Sequence, residues 1–179
     1  MNGTIFNTRN DMFNSFKKGL IIAELGVFEG EFSKIIFNQC LPKQLLLVDL
    51  FAGDFGSGDK DGKNHHNVDL QAEVIKISSY FQHNDNVQVI KASTLDFLQK
   101  LQANYLDIVY IDADHTEQAF REDLYLSYEK VKFGGIIAGH DYNRYSAIEM
   151  VVNQFCREKN LRISMLTRDG CPSFGIMKQ

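Results

Sequence analysis

The 179-residue chain has no tryptophan, only two prolines and only three cysteines. No apolar run approaches the roughly 20 residues needed to cross a bilayer, so no membrane partner is expected. The opening stretch MNGTIFNTRNDMFNSFKKG mixes acid, amide and basic side chains and holds no apolar run of the kind a secretory leader carries. An excess of basic charge is missing as well. The net charge is −4 and the pI near 5.7, which removes the electrostatic footprint of nucleic-acid binding. With prolines so scarce and no Ser/Gly/Pro-rich linker, nothing marks a boundary, and residues 1–179 are expected to form one domain. Cys40, Cys156 and Cys171 are odd in number and widely spaced. That pattern argues against a disulfide framework or a zinc site, and fits reduced thiols in a cytoplasmic protein.

What the chain does have is apolar mass: 44% hydrophobic residues, 14 of them phenylalanine, ample for a packed core. Its periodicity switches repeatedly. Short apolar runs stand at 20–25 (LIIAEL), 45–49 (LLLVD), 87–92 (VQVIKA), 106–112 (LDIVYID) and 135–139 (GIIAG). Longer amphipathic segments lie between and after them, at about 30–40, 69–83, 94–102, 115–131 and 145–159. Alternation of this kind builds βα units around a largely parallel sheet. The pattern then changes: LRISMLT and SFGIMK read as two strands joined by a turn at Asp169-Gly170, with no helix between, so they should be antiparallel. The expected architecture is α/β, a Rossmann-like three-layer αβα sandwich whose seven-stranded, mostly parallel sheet ends in an antiparallel C-terminal hairpin strand. Asp114-x-x-Glu117 and Ser146-x-x-Glu149 fit helix-starting capping boxes, and Gly134-Gly135 fits a helix stop. The Gly/Asp-rich segment 51–67 has no periodicity and reads as a mobile loop of the lid type; it carries His65 and His66, while His83 reads as a surface residue.

The chemistry concentrates where apolar runs end. The first ends in AELGVFEGEFS, where Gly26 and Gly30 let the backbone come close to a ligand and Glu24 suits an ammonium group better than a pyrophosphate. The second ends in Asp49, about twenty residues on, where an acid can accept hydrogen bonds from both hydroxyls of a ribose. Ser93 and Thr94 follow the third run, as helix cap or as a contact for an adenine edge. The fourth ends in YIDADHTEQAFREDL, with Asp112, Asp114 and His115 inside four positions, and the fifth in His140-Asp141. Asp114 suits a helix cap; His115, three residues after Asp112, suits a general base, since an unperturbed imidazole titrates near 6.5.

These motifs, in order and at these spacings, resemble a class I S-adenosylmethionine-dependent methyltransferase. Within that class the chain looks like the small-molecule and sugar O-methyltransferase group that includes macrocin O-methyltransferase and the cephalosporin-hydroxylase-like proteins. The resemblance implies S-adenosylmethionine as cofactor, held by Glu24, Gly26, Phe28, Gly30, Asp49, Leu50, Ser93, Thr94 and Asp112. It departs from the family pattern at the usual second glycine, here Phe28, and at Ser93, where an acid is common. It implies a divalent cation, Mg²⁺ or another, on Asp112, His140 and Asp141, the histidine standing where related members carry an acid. It also implies catalytic roles for His115, Asp112 and His140, and a small hydroxylated molecule as methyl acceptor. The acceptor site can be completed by the 51–67 loop, the N-terminal segment or a second subunit of a homo-oligomer. Two rival readings stay open: a nicotinamide-dependent oxidoreductase, which the absent G-x-G-x-x-G disfavours, and a non-catalytic S-adenosylmethionine-binding module.

Overall fold

The computed structural model describes residues 3–51 and 69–179. Their elements run β1 (Thr4–Phe6), α1 (Arg9–Asn14), β2 (Ile21–Leu25), α2 (Glu31–Cys40), β3 (Gln44–Asp49), α3 (Leu70–Phe81), β4 (Val87–Lys91), α4 (Thr94–Lys100), β5 (Leu106–Ile111), α5 (Glu117–Lys130), β6 (Val131–Gly139), α6 (Ser146–Glu158), β7 (Ile163–Thr167) and β8 (Phe174–Met177). The strands form one sheet in the order β1-β7-β8-β6-β5-β2-β3-β4. Every neighbouring pair is parallel except those made by β8, which runs antiparallel to both β6 and β7.

Central strands β2, β3 and β5 read as largely apolar runs because both of their faces are covered. Along β5, Val109 and Ile111 pack with Leu98, Phe120, Leu124, Ile148 and Phe155 of α4, α5 and α6. The alternate residues Ile108 and Tyr110 pack on the opposite face with Met12, Phe13, Phe32, Ile36 and Ile77 of α1, α2 and α3. Two cores back to back across one sheet make the three-layer sandwich. Helix α6 shows the pattern that builds it: Ile148, Val151, Val152, Phe155 and Cys156 are buried at helical spacing while Glu149 and Met150 face water.

The sheet has eight strands, one more than the apolar runs foretell. The extra strand β1 (TIF) is three residues long and mostly exposed, pairing Thr4 with Met165 and Phe6 with Thr167. Such a short edge strand leaves no periodic signal. Helix α1 is likewise absent from the expected set, although Thr8 and Asp11 cap it reciprocally, the box sought elsewhere. At α5 the cap is Thr116, not Asp114, whose carboxylate accepts the Thr116 N–H one turn earlier. At α6 the cap position is Tyr145, whose side chain makes no capping bond, so Ser146 is already inside the helix. Nor does Gly134-Gly135 stop a helix. Val131 passes straight from α5 into β6, and the glycine pair lies in a bulge where the register jumps from Leu106↔Val131 to Ile108↔Ile136. The expected loop at 51–67, with His65 and His66, lies outside the described residues apart from Phe51.

Between α4 and α5 the apolar core contains an acid. Asp123 is 2% exposed, takes a hydrogen bond from Thr94, and keeps Oδ2 without a hydrogen-bond partner among the described residues. Burial pushes its carboxyl up to about 6, against 3.8 ordinarily, with Thr94 opposing the shift. The folded chain therefore holds a proton that the unfolded chain has released, and stability is lost as pH rises from about 4 through about 6. Asp123→Asn should stabilise the protein at pH 7.5 by up to about 3 kcal/mol and flatten that pH dependence, as thermal unfolding at several pH values will report.

Candidate active site

The carboxyl ends of β2, β3, β5 and β6 carry the polar residues of interest. At the end of β2 the chain turns at Gly26, whose φ is 88°. A Cβ there would overlap the carbonyl oxygen of Asp112, so β2 and β5 end in backbone contact that only glycine permits. Hydrogen bonds lace the neighbouring ends: Asp112 N–H donates to the Leu25 carbonyl at 2.8 Å and Gly26 N–H to Val48 at 2.9 Å. The turn continues through Phe28, also left-handed at φ 53°, to Gly30 at φ 74°, where α2 begins and a Cβ would press on Ile77 at 2.8 Å. Asp49 pins this turn. Its Oδ2 accepts the N–H groups of Val27 (2.8 Å) and Phe28 (3.0 Å), and its Oδ1 accepts that of Phe51 (2.7 Å). Charge-assisted bonds of this kind offset the roughly 1–2 kcal/mol that a left-handed non-glycine residue costs. Behind the turn Glu24, 2% exposed, accepts a bond from the Ser33 hydroxyl. Burial pushes its carboxyl up to about 8, Ser33 pulling the other way and Asp112 adding to the rise.

Beyond the Gly26–Asp112 contact lies a second cluster. Asp112 Oδ1 is 3.8 Å from His115 Nε2 and 3.4 Å from His140 Nδ1; Asp141 Oδ2 is 3.4 Å from each of the same two nitrogens. Each side chain has a local cause. The Asp114–Thr116 turn lifts His115 off the start of α5, and its ring stacks on Tyr145 at 4.6 Å. His140 extends the β5–β6 ladder by one bond, donating its N–H to Ile111, and Asp141 at φ 56° breaks the strand and turns its carboxyl inward. The other oxygen of Asp112 meets a guanidinium: Arg9 Nη1 donates to Oδ2 at 3.1 Å and to the Tyr110 hydroxyl at 3.3 Å. Tyr110 in turn lies 3.0 Å from the Ser173 hydroxyl.

These contacts set the charges. Burial alone would raise Asp112, but the facing imidazoles of His115 and His140 and the charge of Arg9 outweigh it and hold the carboxyl far below its ordinary value. Burial alone would lower His140; Asp112 and Asp141 outweigh it and push the imidazole up to about 9. Burial drives the Tyr110 phenol upward, so it stays a neutral hydroxyl. Two buried polar atoms of this cluster lack hydrogen-bond partners among the described residues, His115 Nε2 and Asp141 Oδ1. One ligating atom each from Asp112, His115 and Asp141 lies within 4.8 Å of the others, a spacing and an N/O donor set that fit one divalent cation. The nitrogen in that trio is His115, whereas the sequence pointed to His140, which bridges the same two carboxyl groups.

A family model described as "Methyltransferase domain" matches residues 23–142, more than half of the chain and the span that holds both clusters. The chain belongs to this methyltransferase family. Its fold is that of the class I S-adenosylmethionine-dependent methyltransferases. Protein R132 of Acanthamoeba polyphaga mimivirus is 30% identical over 146 residues, 78% of this chain and 60% of that one; the chain thus spans about three fifths of this curated relative's length. Among solved structures, SMU.1697c of Streptococcus mutans, in complex with SAH, superposes with a TM-score of 0.67 at 12% identity, covering 96% of both chains. The O-methyltransferase NovP gives a TM-score of 0.63 at 16% identity, covering 90% of this chain and 73% of its own. At such identities the likeness is one of fold.

Of the residues named from the sequence, the fold brings Asp112, His115, His140 and Asp141 together and sets Glu24, Gly26, Phe28, Gly30 and Asp49 around the adjoining turn. Leu50 follows Asp49 and is exposed. Ser93 caps α4, accepting the Asp96 N–H, and Thr94 turns to Asp123 in the core. Cys40 and Cys156 are buried; Cys171 is half-buried and accepts a bond from Arg144. Among the described residues no helix is long and apolar enough to cross a membrane. Sequence reasoning missed Arg9, Tyr110, Ser173 and Tyr145. Only Arg9 had a signal, the Thr8-x-x-Asp11 box that starts its helix.

Gly26→Ala should be among the most damaging single substitutions. Steric overlap at a left-handed position predicts a loss of about 3 kcal/mol or more, a fall in Tm of roughly 10 °C. Unchanged thermal unfolding would mean that β2 and β5 do not end in contact.

Proposed function

We propose that the chain transfers a methyl group from S-adenosylmethionine to a hydroxyl oxygen of a small molecule, assisted by a divalent cation. The observation that carries this reading is the abutment of two clusters across Gly26 and Asp112: a pinned glycine turn on one side, and two carboxyl groups with two imidazoles on the other. Glu24 takes the ammonium of the methyl donor. The Gly26–Phe28–Gly30 turn lies against the nucleoside, and Asp49, with lone pairs to spare beyond its backbone bonds, takes the ribose hydroxyls. Leu50, Ser93 and Thr94 border the adenine side, Ser93 with its hydroxyl and Thr94 through the position of α4.

Displacement at a sulfonium methyl is in-line, so alignment of donor and acceptor supplies much of the rate. Asp112 and Asp141 would hold a divalent cation, which when bound supplies a Lewis acid that lowers the pKa of the acceptor hydroxyl, and this leaves the lone pair of His115 free for the proton. His115 Nε2, buried and unpartnered, accepts the hydroxyl proton as the oxygen gains the methyl group and the sulfonium becomes a neutral thioether. His140, held between Asp112 and Asp141, keeps the two carboxyl groups at a fixed separation. The reading extends to a small-molecule partner and a cytoplasmic setting, in keeping with the acidic charge and the unpaired thiols.

Calorimetry with S-adenosylmethionine, S-adenosylhomocysteine and NAD⁺ tests the cofactor, with binding expected for the first two alone. Methyl transfer from labelled S-adenosylmethionine to a panel of hydroxylated acceptors tests the rest. His115→Ala should lower kcat roughly a hundredfold, and chelation or Asp141→Asn should abolish turnover. Full activity under chelation removes the cation; S-adenosylhomocysteine binding with no turnover on any acceptor favours a binding module instead. The Glu24 assignment has its own signature. An incoming ammonium selects the ionised carboxyl, so binding releases a proton and S-adenosylhomocysteine affinity should rise as pH climbs toward about 8. Glu24→Gln should weaken binding about tenfold and remove that slope; a flat profile in the native protein sinks the assignment.

A further inference from the structure

Arg9 enters the Asp112 cluster from outside the family-matched span, which begins at residue 23. The methyl-transfer chemistry above gives it no task. We propose that Arg9 is a resident monovalent cation that sets the divalent-ion affinity of the site, keeping the ion loosely held by restricting Asp112 to one ligating oxygen. This rests on the cation reading given under Proposed function.

The carboxylate of Asp112 is divided between two neighbourhoods. Oδ2 is engaged by Arg9 Nη1 at 3.1 Å, while Oδ1 faces the imidazole nitrogens of His115 and His140 at 3.8 and 3.4 Å. A cation shared by Asp112 and Asp141 must use Oδ1 of Asp112, because two-oxygen chelation requires the guanidinium to leave. It would then sit across a single carboxylate from a fixed positive charge, close enough for repulsion to matter even in a largely aqueous dielectric. Arg9 does not swing aside freely. Its guanidinium lies 4.1 Å over the Phe32 ring and also bonds Tyr110, and its backbone N–H donates to Asp169 at 3.3 Å. Its helix is anchored by the Thr8–Asp11 capping box and by buried Met12 and Phe13. The positive charge is therefore built into the site, and expelling it means loosening α1.

The test is calorimetric titration of the full chain with Mn²⁺, with no turnover involved. Arg9→Gln and Arg9→Met both remove the charge, the methionine keeping an apolar stem on Phe32; Arg9→Lys keeps the charge. The neutral variants should bind Mn²⁺ about tenfold or more tighter than the native protein, Arg9→Lys should stay within about threefold of it, and Asp141→Asn should bind none. A structural role alone would loosen the site and weaken binding in all three Arg9 variants. Native binding with equal or weaker binding in both neutral variants overturns the role of Arg9 and leaves the cation reading standing. No Mn²⁺ binding by any of these proteins overturns both. Circular dichroism identifies a misfolded variant, and whichever neutral variant folds decides the outcome.

Discussion

The close meeting of β2 and β5 at Gly26 and the Asp112 carbonyl is the constraint on which the rest of the structure depends. Two loops of different chemistry leave the sheet at that point, and because their backbones touch, the turn after β2 and the acids after β5 and β6 share one floor. Hydrogen bonds from Asp112 to Leu25 and from Gly26 to Val48 tie three strand ends into this floor. Asp49 then holds the turn against it through Val27 and Phe28. A residue with a side chain at position 26 would part the two halves before either could act.

Electrostatics at the floor follow from the same crowding. Acids gathered at strand ends in a dry setting are costly unless paired. The chain answers differently at each one. Asp112 is compensated by His115, His140 and Arg9 and lies far below its ordinary value. Glu24, with only the Ser33 hydroxyl for direct support, is pushed up to about 8 and keeps its proton at neutral pH. Two carboxyl groups on one small surface thus rest in opposite states, one ionised and the other protonated.

How much of this could be read from the sequence depended on how far each signal was local. Strands buried on both faces announce themselves as apolar runs, so β2 to β6 were legible, as were the turn glycines, Asp49 and the residues that end β5 and β6. Helix starts were less so: Asp114 and Ser146 fit the capping pattern, yet the chain placed Thr116 and Tyr145 at those positions, since neighbouring residues of similar propensity compete and tertiary packing decides. Gly134-Gly135 looked like a helix stop because a bulge and a stop ask for the same residue. Arg9, Tyr110 and Ser173 were illegible as site residues. They come from three distant parts of the chain, and only the sheet order brings them together.

The lone antiparallel strand, β8, has a topological effect of its own. Because β7 runs with the parallel strands and β8 runs back, the turn between them emerges on the same edge of the sheet as the site. From there Asp169 takes the backbone of Arg9 and Ser173 lies against Tyr110. The segments before and after the family-matched span are thereby knotted to each other above a floor built within that span. The flanks are held by polar side chains from both ends of the chain, the floor by the steric discipline of a single glycine.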